Sequence, residues 1–166
     1  MLLPIRRISY QRGFTLLELV VVILIMGLLT LNFAPHSLSL STFYARGFHD
    51  ETLALLRYAQ KSAISHRRTV CVEFSGDVSV SLRISASAGT ATCTNALQGL
   101  VGGNASTAAV TAQSDVSYSV VPGNFSFDGL GQPVDGSGAL TATQSIQVVN
   151  ASNSITVEAV TGYIHE

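Results

Sequence analysis

The chain has 166 residues, enough for one domain and an appendage. Charged residues make up only 11% against the usual quarter, 47% are apolar, and mean hydropathy is +0.40. That balance excludes an intrinsically disordered chain, and a formal charge of -1 excludes a broadly basic nucleic-acid binder. No tryptophan, two cysteines and four histidines leave few of the residue types on which metal sites and nucleophilic chemistry depend.

Met1 to Gly13 carries Arg6, Arg7 and Arg12 and no acid. Phe14 to Ala34 follows, 21 residues whose only charge is Glu18. At ~1.5 Å per residue a helix over that stretch is about 31 Å long, which matches a hydrocarbon core of about 30 Å. Arginines precede it and no Lys or Arg follows until Arg46, so the N-terminus is expected to stay cytoplasmic and the remainder to be exported. A secretory signal peptide competes with this reading, but its apolar stretch runs about 7–15 residues, and Asn32-Phe33-Ala34 is a poor cleavage site. A buried core helix this uniformly apolar would need more protein around it than the remainder supplies.

Glu18 is the anomaly. A carboxylate in an apolar membrane helix costs about 2.5–3.5 kcal/mol, less near an interface. Either it snorkels to the headgroups or it meets a positive partner inside an assembly. Cleavage between Gly13 and Phe14 would create such a charge, the new α-amino group. Within one chain both groups lie on one stiff helix with the amine at its end, so the pairing is expected with Glu18 of a neighbouring copy displaced along the axis. A buried pair is favourable only when both charges are present, so Glu18 would set register between subunits rather than add bulk affinity.

Arg12-Gly13-Phe14-Thr15-Leu16-Leu17-Glu18 resembles the class III signal of type IV pilins and type II secretion pseudopilins. The resemblance implies cleavage after Gly13 by a prepilin peptidase/methyltransferase, N-methylation of Phe14, and packing of the apolar helix into a filament core. Pro35, expected to kink or interrupt the helix, lies where pilins commonly carry a proline. Losing the leader removes three of nine basic residues, leaving six against ten acids, a net charge of -4.

Ser37 to Arg68 reads as helix. Leu40, Phe43, Gly47/Phe48, Leu55, Ala59 and Ala63 recur at three- to four-residue steps, looser near Thr52, and leave Arg46, Asp50, Arg57, Lys61 and Ser65 mostly elsewhere. The stripe is expected to dock on a sheet, as the second half of one long, Pro-interrupted helix. From Thr69 the period changes to two: Thr69–Phe74 and Val78–Ile84 are separated by Ser75-Gly76-Asp77, a hairpin signal. In residues 85–115, Ala, Ser, Thr and Gly fill 21 of 31 positions, which predicts a long, partly flexible loop or weak edge strands. Strand patterns return at Val116–Val121, Asn124–Phe127, Ser145–Val149, Ser154–Val160 and Tyr163-Ile164, with turn glycines between. A helix followed by antiparallel strands is an α+β plan.

That order resembles the minor-pilin group of pseudopilin H and the competence pilin FimT (the GspH/FimT group), through Leu55–Ile64, Phe125-Ser126-Phe127-Asp128-Gly129 and Ile155–Ile164 with Gly162. It is similar also to minor pilins of mannose-sensitive haemagglutinin pili (MshC-like), through Ala45–Phe48 and Thr161-Gly162-Tyr163. The resemblance implies a pilin-like fold, a long N-terminal helix packed on an antiparallel β-sheet.

Cys71 and Cys93 fall in the part expected to be periplasmic, where disulfides persist. A bridge would close a loop of about 23 residues, worth ~3 kcal/mol in the chain-entropy model; two free buried thiols are the alternative. No metal-ligand cluster is visible, and His36, His49, His66 and His165 are scattered and read as surface or cap residues. Asp50-Glu51 reads as a solvated face, and His66-Arg67-Arg68 complements a helix C-terminus. FimT-like pilins are thought to bind DNA through arginines near a C-terminal Gly-Arg motif. Here that stretch reads Gly162-Tyr163-Ile164-His165-Glu166, and no Lys or Arg follows Arg83, so nucleic acid is disfavoured as a partner.

The expectation is therefore a leader at 1–13, a transmembrane and filament-core helix at 14–36, and a periplasmic or extracellular domain at 37–166. The chain reads as a structural minor pilin or pseudopilin rather than an enzyme, with no cofactor and no metal. Its partners would be the prepilin peptidase, other pilins or pseudopilins, the inner membrane and the pilus or secretion assembly platform. A pilin-borne receptor for DNA or a surface is the alternative.

Overall fold

The structure is a computed structural model describing residues 13–32, 40–99 and 107–166. The chain divides into two compact units, Met1–Leu38 and Ser39–Glu166. In the first, α1 spans Leu16–Asn32. It begins two residues later than the apolar run, and its 17 residues make it about 26 Å long. Among the described residues no helix is long and apolar enough to cross a membrane. Pro35, His36 and the leader arginines lie outside the described residues.

In the second unit, α2 spans Leu40–His66 and buries Ala45, Phe48, His49, Thr52, Leu53, Leu55, Leu56, Ala59, Ser62 and Ala63. These positions recur every three to four residues, so one face is dry. Leu40 and Phe43, expected on that face, are exposed; the burial starts only at Ala45. The helix stops without glycine. Arg67 takes the left-handed region (φ 50), and the Arg68 N–H reaches the Ala63 carbonyl at 3.2 Å, a Schellman closure.

Six strands form the first sheet: β1 Val70–Ser75, β2 Ser79–Ser85, β3 Cys93–Ala96, β4 Ala109–Thr111, β5 Phe125–Phe127 and β6 Pro133–Val134. Their order is β3-β2-β1-β5-β6, with β4 also pairing β2. The β1–β2 hairpin turns at Gly76 (φ 68) in antiparallel register, Val70 opposite Ile84 and Ser75 opposite Ser79. A second sheet, β7 Gln144–Gln147, β8 Ser154–Val157 and β9 Ile164–His165, is also antiparallel. Leu56, Ala59 and Ala63 of α2 pack in one core with Val70, Val72, Leu82 and Phe127 of the first sheet and Ile146, Ile155, Val157 and Ile164 of the second. This is the α+β plan: a helix on antiparallel sheet.

One expectation is corrected. Val116–Val121 is not a strand: Val116 and Tyr118 are buried in alternation, but only the single bridge Tyr118–Val148 forms, between a left-handed Asp115 (φ 66) and Pro122. In the described parts of 85–115 the second of the two alternatives holds: they supply the short strands β3 and β4, which both hydrogen-bond to β2.

Candidate functional site

The N-terminal segment is built around Thr15. Its hydroxyl accepts the Glu18 N–H at 3.3 Å, and its carbonyl accepts the Leu19 N–H at 3.2 Å. Thr15 is thus the N-cap of α1 and Glu18 the third helical residue, the Thr-x-x-Glu spacing of a capping box. A carboxylate there also faces the positive end of the helix dipole, worth about 0.3–1 kcal/mol. Glu18 is thus more than an acid in an apolar run, and the Thr15–Glu18 spacing is the sequence signal that it also starts the helix. Gly13 and Phe14 precede the cap in open space. From Phe14 to Leu29 every large apolar side chain keeps 43% or more of its surface exposed, on all sides of the helix. That surface has no polar face to offer water.

In the globular unit, α2 is clasped to the C-terminal segment. The Gln60 side-chain amide donates to the carbonyls of Gly131 (3.1 Å) and Thr161 (3.2 Å), and the Arg57 guanidinium donates to the Ile164 carbonyl at 3.2 Å. Gly162 (φ 66) allows this approach: a Cβ there would fall on the Gly131 carbonyl and on the Gln60 amide. Gly129 lies against the Arg67 backbone, where a Cβ would stand 3.1 Å from the carbonyl carbon. Two of the segments that carry the resemblance to minor pilins, Leu55–Ile64 and Ile155–Ile164, therefore meet at one seam, and Gly129 of the third lies against the backbone just past the end of α2.

Further up α2, His49 is 5% exposed, which corrects its reading as a surface residue. Its Nδ1 lies 3.2 Å from Asp50 Oδ1 and 4.0 Å from Glu166 Oε1, and its Nε2 is buried with no partner among the described residues. Sequence spacing could not show this cluster, because Glu166 is distant in the chain. His165, beyond the seam, takes Glu158 at 3.0 Å and stacks on Tyr163. The hydrogen bond to Glu158, then that to the Glu166 carbonyl, raises its pKa above the ordinary imidazole value. In the core, burial pushes the Tyr118 hydroxyl up to about 12, opposed by its 3.0 Å hydrogen bond to Thr52. Cys71 and Cys93 form a disulfide with Cα atoms 6.0 Å apart, joining β1 to β3 across β2.

Residues 8–31 match the family described as the prokaryotic N-terminal methylation motif. The chain has a prepilin-type N-terminus. No curated protein matches it. Among solved structures, the type IV minor pilin FimU of Pseudomonas aeruginosa is similar at 14% identity and a TM-score of 0.47, covering 72% of this chain and 90% of that one. The matched motif contains Gly13, Phe14 and Glu18, which the structure brings together on one segment. Cys71 and Cys93 belong to the globular unit. Asp50 and Glu51 are both exposed, as a solvated face requires, and His66 is exposed at the end of α2. Gly131 is a turn glycine, as expected, yet it also serves the seam.

Proposed function

We propose that this prepilin-type chain is a structural minor pilin or pseudopilin, not an enzyme, which assembles into a type IV pilus or a type II secretion pseudopilus. The observation that carries the reading is the methylation motif set on a helix that is apolar on every side. Such a helix is stable only where something apolar surrounds it: lipid before assembly, equivalent helices after it.

In this reading the precursor sits in the inner membrane through residues 14–36, with Arg6, Arg7 and Arg12 in the cytoplasm and residues 37–166 in the periplasm. The prepilin peptidase cuts after Gly13 and methylates Phe14. The assembly platform then draws α1 from lipid into the filament, where Glu18 pairs with the Phe14 amine of the next subunit. Thr15 supports that step because it fixes where the helix begins and so how far Glu18 stands from the new terminus. The globular unit primes, caps or decorates the fibre.

Glu18→Ala tests the reading. The variant is expected to be processed normally and to be absent from sheared fibres by immunoblot, while Glu18→Asp retains part of the incorporation. Incorporation of Glu18→Ala at the parental level would remove the register role.

A further inference from the structure

Nothing in filament assembly uses the cluster at the upper end of α2. His49 Nδ1, an Asp50 carboxylate oxygen and a Glu166 carboxylate oxygen all lie within 4.8 Å of one another. They border a cavity of about 290 Å³ that Asn153 and Arg46 also line. The imidazole is buried and orients Nδ1 toward both acids, although its Nε2 thereby stays without a partner among the described residues. Burying a ring nitrogen unpaired costs stability, and nothing in the packing of α2 requires histidine there: Ala45 and Phe48 beside it show that an apolar residue suits the same face.

We propose that His49, Asp50 and Glu166 bind one borderline transition-metal dication of the Zn²⁺ class. One imidazole nitrogen among the donors favours this class over Mg²⁺ or Ca²⁺, which take oxygen ligands. Two ligands at about 2.0–2.2 Å from a tetrahedral ion stand ~3.3–3.5 Å apart. His49 and Asp50, at 3.2 Å, stand just inside that spacing and need only open slightly. Glu166, at 4.0 Å from Nδ1, meets it after a small closing movement of its exposed side chain. Asn153 already donates to the other Glu166 oxygen at 3.1 Å, which orients the carboxylate. Water fills the remaining position. The bound ion ties α2 to the residue after β9, and the Arg46 cation at the rim weakens rather than assists it.

The test uses the full chain, untagged and chelator-stripped in detergent micelles. It is titrated with Co²⁺ by visible absorption and with Zn²⁺ by calorimetry. One equivalent is expected to bind, Mg²⁺ in large excess is expected not to displace it, and Arg46→Gln is expected to tighten it. Glu166→Gln and His49→Ala should each weaken it at least tenfold, and Glu158→Gln, which faces His165 instead, should leave it unchanged. Because His49 is buried and its alanine variant can fail to fold, the exposed Glu166 is the decisive position. Absence of saturable binding, displacement by Mg²⁺, or an unchanged Glu166→Gln isotherm would each overturn the site.

Discussion

The two helices of this chain are opposites. α1 carries one charge in 17 residues, and its large apolar side chains from Leu16 to Leu29 lie open around the whole circumference. α2 carries charges through 27 residues and buries a single face, from Ala45 to Ala63. Each sequence states what kind of neighbour its helix needs. A one-faced helix is satisfied by a sheet on one side, and α2 has that sheet in its own chain. A helix apolar on every side is satisfied only by surroundings on every side, which one small domain does not provide.

The sharpest break in that comparison comes from equivalent truncations. Phe127, fully buried against α2, should lose about 3–5 kcal/mol of domain stability as Phe127→Ala. Ile23→Ala in α1 should change it by less than ~0.5 kcal/mol, both measured by urea denaturation of the full chain. Similar losses would mean that α1 contributes to the domain's core. A smaller effect is expected at the seam. Gly162→Ala meets both a positive φ and the Gly131 carbonyl, whereas Gly76→Ala meets a similar φ (68) in open space. The first should cost about 1–3 kcal/mol and exceed the second; equal losses would reduce the seam to backbone strain alone.

The smallest effect is electrostatic. His165 is raised by Glu158 in the folded chain. Its contribution is therefore fully present below the ordinary value near 6.5 and fades as pH rises through the folded value. Glu158→Gln should bring the His165 titration, followed by NMR, back toward the ordinary value. An unmoved titration would assign the shift to the Glu166 carbonyl instead.

Where periodicity decides structure, the sequence was legible. The switch from steps of three and four to steps of two at Thr69 locates the α2–β1 boundary, and Ser75-Gly76-Asp77 locates the first hairpin. Leu40 and Phe43 misled because the apolar stripe of α2 continues beyond the end of the sheet that covers it. Val116–Val121 misled because alternation reports burial, not hydrogen bonding: Val116 and Tyr118 do point inward, but a ladder needs a partner strand in register. His49 and Glu166 were illegible for another reason, since only the fold joins two residues so far apart in the sequence. Thr15 could have been read, because a threonine placed three residues before a glutamate at the start of an apolar run caps a helix by local chemistry alone.

The central claim is that Glu18 and the greasy helix behind it serve a chain whose true start is Phe14. Intact mass and N-terminal fragment spectra of the protein recovered from cells test this most directly. The expected product is a polypeptide lacking residues 1–13 and bearing one methyl group on the Phe14 nitrogen. A product that retains Met1, or that begins anywhere other than Phe14, would contradict it.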